Sequence, residues 1–503
     1  MRGIITTKSK IRHQVFTEVA RMAFEGTSFS RLEELPYELV PGEISTYYDN
    51  IFLERAIIGE RIRTTMGLPV RKLSQHTLLS DGFENADIAE KYYEPPLVNI
   101  IKFACHACPE KRTFVTDGCQ GCLEHPCSVV CPKGAISIKN GKSHIDPDKC
   151  VNCGKCMQAC SYNAIIRQER PCAKACGMHA IKSDEHGRAD IDYDLCVSCG
   201  QCLVSCPFGA IVDKSQIYQT CLALKADTPV YAAIAPSYVT QFGPDANEGR
   251  MRAALKAAGF TDMVEVSIGA DLCAIQEAED FVNEVPDKLP FMGTSCCPSW
   301  SVMAKKQFPQ FADCISMTLT PMVLTARMIK KQHPEAKVVF IGPCAAKKLE
   351  ASRKSVRSEV DFVLTFEEMA GIFEAKEIDP NTIAPDEVSN ASSADGKGFA
   401  SSGGVAKAVV NVIKERYPGR EVNVVGAEGL DECRKMMMIA KAGKYNGYLL
   451  EGMACPGGCV GGAGVISDVS KAAVSLEADK KTSEKKSSTE TEYGSYLGLI
   501  NKE

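Results

Sequence analysis

No run in this 503-residue chain approaches 18 continuous apolar residues, which argues against a membrane span. The N-terminal ten residues have no apolar stretch of the kind that marks a secretory signal, so export is not expected. An excess of one charge is also missing. The 58 basic and 63 acidic side chains leave a net charge of −5, which argues against a nucleic-acid partner. Residues 1–100 hold no cysteine and no recognisable motif. Helical patterns at 10–24 and 51–66 are all they announce, expected to pack on the segment that follows. The length suits two or three domains with real cores.

What the chain does have is 25 cysteines. In a small secreted protein they would suggest disulfides, but this chain is large and shows no export signal. Most stand in Cys-x2-Cys runs, whose thiols converge too closely for good disulfide geometry but suit iron. A reducing cytoplasm is the expected compartment.

Sixteen of them lie between Cys105 and Cys206. Two runs are regular: Cys150, Cys153, Cys156, Cys160, and Cys196, Cys199, Cys202, Cys206. A third, Cys119, Cys122, Cys127, Cys131, has a longer middle spacer, and a fourth is cut down to Cys172 and Cys176. An internal repeat is visible. Each unit runs Cys, three residues, Ala-Ile (from Cys131 and Cys176), then Ile-Asp (145–146 and 191–192), then Cys-Val-x-Cys-Gly-x-Cys.

Each unit resembles a bacterial two-cluster ferredoxin, in which the fourth Cys of a run serves the other cluster. The resemblance implies [4Fe-4S] clusters on Cys119, Cys122, Cys127, Cys160, on Cys150, Cys153, Cys156, Cys131, and on Cys196, Cys199, Cys202, Cys176. Cys172 and Cys206 then lack two ligands, which Cys105 and Cys108 would supply for a fourth cluster. A zinc knuckle at Cys105 and Cys108 is the alternative; the closed count favours iron. His106, between them, reads as an exposed loop residue.

After Cys206 the pattern becomes α/β. Short buried strands are expected at 230–235, 337–341, 360–364, 421–425 and 447–450, with helices at 248–258, 366–375, 404–416 and 430–442. That alternation predicts parallel sheets with helices outside. Three cysteine segments should sit at element ends: Cys296-Cys297 in Thr-Ser-Cys-Cys-Pro, Cys344 in Gly-Pro-Cys-Ala-Ala-Lys-Lys, and Cys455 and Cys459 in Cys-Pro-Gly-Gly-Cys-Val-Gly-Gly.

In order and neighbours these segments resemble the signature segments of the [FeFe]-hydrogenases. The resemblance covers roughly residues 100–470 and implies interconversion of protons, electrons and H2. It implies that Cys297, Cys344, Cys455 and Cys459 hold a [4Fe-4S] cubane, with Cys459 bridging to a two-iron subsite that carries CO, cyanide and a bridging dithiolate: the H-cluster. Lys347 matches a donor to one cyanide, Pro236 and Ser237 the holders of the other, and Met453 a neighbour of the bridging CO. Cys296 matches the proton-exchanging thiol, with Glu277, Ser316 and Asp280 as the relay behind it. An electron carrier like ferredoxin or flavodoxin and hydrogenase maturation proteins are the implied partners.

The chain departs from the family's usual residues at several places. Asp280 stands where Glu is usual, Glu284 where Arg is usual, and Gly342 and Met322 where the best-known members have Met and Gln. These touch the surroundings of the ligands rather than the ligands, and suggest a divergent monomeric subgroup. Cys221, Cys273, Cys314 and Cys433 fit no motif and read as small buried apolar residues.

The expected fold class is α+β and α/β, a ferredoxin-like iron–sulfur domain followed by a two-lobed α/β H-cluster domain. The divisions are a helical region at 1–100, the iron–sulfur domain at 101–215, the catalytic domain at 228–470, and a partly disordered tail at 471–503, rich in Lys, Glu, Ser and Thr. Rival readings are a hydrogen-sensing homologue and a non-catalytic scaffold for iron–sulfur assembly. The intact Cys296-Cys297 pair and Lys347 favour the enzyme.

Overall fold

The computed structural model describes residues 3–353, 356 and 358–499. Among them no helix is long and apolar enough to cross a membrane.

Two parallel sheets form the lobes of the catalytic block. In the larger, Val230–Ile234 is flanked by Asp262–Glu265 and Lys337–Gly342, with Phe362–Thr365 outermost beside the latter. In the smaller, Tyr448–Met453 lies between Met292–Gly293 and Asn423–Glu428. The expected strands and the helices Glu248–Ala258, Phe366–Ala375, Gly404–Arg416 and Leu430–Lys441 are all present. Four of these strands are buried along most of their length and read as apolar runs, which is why the pattern found them; Asn423–Glu428, expected to be buried, is instead a largely exposed edge of the smaller sheet. A bridge from Gly293 to Ile315 extends the smaller sheet, and the helix Ser267–Glu284 packs on Gly404–Arg416 in the core beside it.

The iron–sulfur block is built differently. Small antiparallel hairpins, Ile136–Lys139 with Lys142–Ile145 and Ile181–Ser183 with Ala189–Ile191, form equivalent parts of the two repeat units. In each Cys-Val-x-Cys-Gly-x-Cys turn the residue before the second Cys and the Gly after it are left-handed: Asn152 and Gly154, Ser198 and Gly200. Such alternation turns successive backbone N–H groups to one side, which suits anionic sulfur.

The N-terminal region packs on both of its neighbours: helix Ile51–Thr65 sends Ile57 into the core of the iron–sulfur block beside Cys172, Cys202 and Cys206, as expected, while the first helix packs on the larger-sheet lobe. Helix Thr7–Glu25, started by a capping box between Thr6 and Ser9, buries Val15, Phe16, Val19 and Ala20 in the same core as the larger sheet. Gly371 permits this crossing, because a Cβ there would lie 2.7 Å from that of Phe16. Polar ties add to the apolar contact with the iron–sulfur block: Arg61 donates to Gly209 O at 2.8 Å and Lys8 to Cys206 O at 3.2 Å.

A buried charge cluster locks the three regions together. Lys348 Nζ lies 2.7 Å from both Asp213 and Glu368, while Arg12 lies 2.8 Å from Glu367 and 3.7 Å from Asp213. Buried ions of this kind persist only when each is paired.

The tail differs from the sequence expectation. Residues 469–482 form a helix capped by Asp468, and Ser487–Glu490 closes with a capping box. Its order comes from burial that composition does not announce. The fully buried Ser488 donates to Asp271 at 2.8 Å, and Tyr496 accepts from Gln332 at 2.8 Å.

Candidate active site and metal centres

Each signature segment follows a strand of one of the two sheets. Cys297 precedes helix Pro298–Gln307, just past strand Met292–Gly293; Cys344 precedes helix Ala345–Ser352, just past Lys337–Gly342; Cys455 and Cys459 follow Tyr448–Met453. Cys297 and Cys344 thus stand at helix N-termini, where the dipole favours a thiolate. Close packing sets the approach of the segments: a Cβ at Gly462 would meet Pro343 O at 2.4 Å, and one at Gly452 would meet the Trp300 ring at 2.1 Å.

The four thiols converge closely enough to act on one another. Burial and then Cys297 push Cys344 up to about 11; burial, then Cys344 and Cys297, push Cys459 to about 12. Cys455 is held well up by burial and the same two neighbours. In the bare protein these are thiols, so loading with iron must release protons.

Around them stand the other predicted residues. Ser237, in the turn Pro236–Tyr238 after strand Val230–Ile234, is buried with its hydroxyl unpartnered by protein, and Met453 is buried at its strand end. A buried hydroxyl left without a protein partner fits a bound group with acceptor atoms. Lys347 Nζ lies 3.4 Å from Cys296 O and 2.6 Å from the Glu350 carboxylate. Burial works to lower its pKa, but Glu350, then Cys344 and Cys296, hold it above the ordinary value. Glu350 was not foreseen; only its place three residues after Lys347, one helical turn on, could have signalled it.

Cys296 is pushed well up by burial and then by Glu277. Glu277 itself is held at about 7 by burial, against the amide and hydroxyl of Ser295, which donate to its Oε1 at 2.8 and 3.0 Å; its buried Oε2 meets no hydrogen-bond partner among the described residues, and Ser316 Oγ instead accepts from the Thr318 amide at 3.2 Å. Asp280, one turn on, accepts from Gln276 at 2.8 Å and from Thr318 Oγ1 at 3.1 Å. Cys273, one turn before Glu277, is fully buried in the apolar core, as its reading as a small buried residue expects.

In the iron–sulfur block, Cys105, Cys108, Cys172 and Cys206 line one cavity, and Cys131, Cys150, Cys153 and Cys156 another. Both are groupings drawn from the sequence. Among the described residues no His, Cys, Asp or Glu group is tight enough to hold a single metal ion. Four thiols that line one cavity without closing on a single point suit a cluster better than zinc. His106 is exposed and stacks on Phe208 at 4.0 Å.

Cys196, Cys199, Cys202 and Cys176 act on one another, with Cys199 pushed to about 12 by burial, then by Cys176 and Cys196. Cys119 and Cys127 meet at Ser143: its hydroxyl is 3.2 Å from Cys127 Sγ, and its amide holds Cys119 below the usual thiol value. Cys160 packs in the same small core as Cys127, and Cys122 is half-buried. Among the described residues all 25 cysteines are free of disulfides.

The two kinds of site touch. Gln201 Nε2 donates to Cys455 Sγ at 3.2 Å, and Ser299 donates to Val197 O at 3.2 Å. At left-handed Gly200 a Cβ would lie 2.5 Å from that of Ala463 and 3.3 Å from that of Ala345. The Cys199 loop is therefore pressed against the active-site cysteine loops.

Comparison with known proteins agrees with this geometry. Residues 228–463 match the family model for the iron only hydrogenase large subunit, C-terminal domain; 143–166 match a 4Fe-4S binding domain, and 166–217 the LdpA Fe-S cluster-binding domain. The chain is 30% identical to the periplasmic [Fe] hydrogenase large subunit of Nitratidesulfovibrio vulgaris, over 64% of this chain and 85% of that one. It is 29% identical to iron hydrogenase 1 of Clostridium pasteurianum and 28% to the NADP-reducing hydrogenase subunit HndD of Solidesulfovibrio fructosivorans. It spans 64% and 55% of the length of those two. A shorter match, 28% identical over 24% of each chain, is to the cytosolic Fe-S cluster assembly factor NAR1 of Candida dubliniensis. At 30% identity over 85% of a periplasmic [Fe] hydrogenase large subunit, this chain belongs to the iron-only, or [FeFe], hydrogenase family.

Proposed function

We propose that the protein is a catalytic [FeFe]-hydrogenase that interconverts protons, electrons and H2. Cys297, Cys344, Cys455 and Cys459 would hold the cubane of the H-cluster, with Lys347, Pro236, Ser237 and Met453 around a two-iron subsite. That subsite, when bound, supplies the metal at which the H–H bond is made or broken. The chain's part is proton handling. Cys296 Sγ holds a proton beside the site, and Glu277, poised at about 7, can give or take one near neutral pH. Four accessory [4Fe-4S] clusters on the sixteen thiols between Cys105 and Cys206 would supply one-electron relay. The touching of the Gly200–Gln201 turn and Cys455 gives that relay a short last step. We assign the protein to the cytoplasm, where 25 free thiols stay reduced, and assign it a small electron carrier like ferredoxin or flavodoxin as partner.

The observation that carries this reading is the buried carboxyl of Glu277 behind Cys296. A non-catalytic assembly factor, the reading the NAR1 match favours, has no use for a proton carrier in its core. Infrared spectroscopy of protein produced anaerobically with maturation enzymes tests it. Bands from bound CO and cyanide together with H2 turnover are expected; their absence from protein whose cubane is loaded would leave the scaffold reading.

A further inference from the structure

Gln201 donates to a thiol on each side of the contact between the two blocks. Its backbone amide donates to Cys199, and its side-chain Nε2 donates to Cys455 Sγ at 3.2 Å. We propose that Gln201 is a positioning residue that raises the redox potential of the active-site cubane and ties it to the neighbouring cluster on Cys176, Cys196, Cys199 and Cys202. This role rests on the hydrogenase reading of the site, and more narrowly on a cluster at each of those two sets of thiols.

Three observations carry it. First, a thiolate bound to iron has no proton, so it can only accept, and the Gln201 amide meets Cys455 with its N–H side. A donor to that sulfur stabilises the reduced, more negative cubane more than the oxidised one, which raises its potential. One electron then leaves the cluster at Cys199 and reduces the cubane, with no bond made or broken. Second, the donors to the cubane thiols come from different places. Cys297 draws on the backbone amides of Ala454, Trp300 and Ser299, and Cys344 on those of Lys347 and Ala346, all inside the catalytic block. Cys455 takes the side chain of a residue from the other block, and Cys199 is close enough to weigh on its thiol. Third, the turn that carries Gln201 is pinned. Left-handed Gly200 packs on Ala463 and Ala345, while Ser299 and Lys306, from the helix after Cys297, donate to Val197 O and Asp194 O at 3.2 and 2.7 Å. Gln201 itself is half-buried at the start of the short helix Gln201–Ser205, so its side chain can be exchanged while the backbone stays held.

Redox titration of protein made without the two-iron subsite, followed by electron paramagnetic resonance, gives a readout free of turnover. The signal missing from Cys344→Ala marks the cubane. Gln201→Met keeps the length of the side chain and removes the donor. At a fixed potential the ratio of reduced to oxidised cubane should fall about tenfold, a shift of ~59 mV for one electron. That is the size expected for one hydrogen bond to a charged acceptor. The cluster at Cys199 should keep its potential, because the backbone amide at position 201 remains. Gln201→Lys keeps an N–H donor and adds positive charge, so it should move the ratio the other way. An unchanged cubane in Gln201→Met overturns the proposal. So does a shift of the same sign in both variants, which would mark a packing role. If Gln201→Met loses the cubane, Gln201→Lys decides: a raised ratio supports the proposal, and an unchanged or lowered one overturns it. If the matured wild type shows neither CO and cyanide bands nor turnover, the hydrogenase reading falls, while the titration still decides the role of Gln201.

Discussion

The iron–sulfur block and the catalytic block both gather thiols around metal, by opposite means. In the first, each ring of cysteines comes from turns and short hairpins, with left-handed Asn152, Gly154, Ser198 and Gly200 bending the backbone about the void. In the second, single cysteines arrive at the ends of strands from two separate sheets, and the core fixes their positions. Local turns make sites that tolerate exposure: Cys153 is exposed. Convergence from distant strands makes a dry site, where burial is the main cause that holds Glu277 at about 7 and, with Cys297 beside it, Cys344 at about 11. Electron relay needs closely spaced sites near the surface; proton chemistry beside a reactive metal needs the dry one.

The sharpest way to break this contrast is to remove one ligand from the dry site. Cys344→Ala should abolish H2 turnover and the active-site cubane, because a methyl group cannot replace a thiolate where no other donor is at hand. The accessory clusters should survive, read as electron paramagnetic resonance signals and iron content in unmatured protein. Turnover near wild type would refute the second signature segment as a ligand site. Cys296→Ser should be milder, lowering turnover about 10²–10⁴-fold while CO and cyanide bands persist. A hydroxyl is far less acidic than a thiol and hands on protons poorly, although it fills nearly the same space.

The iron–sulfur block should fail piecemeal. Unmatured wild type should carry about 20 iron atoms, from five four-iron clusters. Arg170 holds Cys108 O through two donors at 2.7 and 3.0 Å, and also Lys182 O and Gly187 O. Arg170→Met should loosen that loop and drop the content towards roughly 16, one cluster fewer. Loss of iron from all sites together would mean that the block folds as one unit.

The same contrast explains what the sequence disclosed. The Cys-x2-Cys runs of the iron–sulfur block are local and legible in the sequence, but the groupings across runs, Cys131 with Cys150, Cys153 and Cys156, and Cys105 and Cys108 with Cys172 and Cys206, came through the ferredoxin resemblance; two cavities have those linings. Apolar runs located the strands of the catalytic block. The convergence of Cys297, Cys344 and Cys455 was legible only through resemblance, since nothing in a strand-end cysteine says which other strand end it faces. Glu350 stayed hidden because its pairing with Lys347, three residues before it, gains meaning only from the burial of both groups, which local sequence does not show. The tail misled for a related reason: its polar composition reads as disorder, yet Ser488 is buried by one specific partner, Asp271.

That partner frames the smallest effect expected. Asp271 is fully buried and pushed up to about 6 by burial, although Ser393 and Ser488 donate to it and pull the other way. Hydrogen bonds of this kind favour the ionised carboxylate. Ser488→Ala removes one of them, so the pKa of Asp271 should rise further. A carboxyl raised on folding binds its proton more tightly in the native state than in the unfolded one. Its contribution to stability therefore falls as pH rises from the ordinary carboxylate range through the native value. Raising that value extends the fall to higher pH. Ser488→Ala should cost about 1–3 kcal/mol near pH 8, where Asp271 is ionised and short of a donor. Near pH 5, where the acid is neutral, the cost should be smaller. Urea unfolding of the unmatured protein at both pH values, followed through Trp300, the one tryptophan and a core residue of the smaller-sheet lobe, checks this. A cost that is the same at both values would mean that Ser488 acts by packing alone, and that the tail is held by its apolar contacts rather than by Asp271.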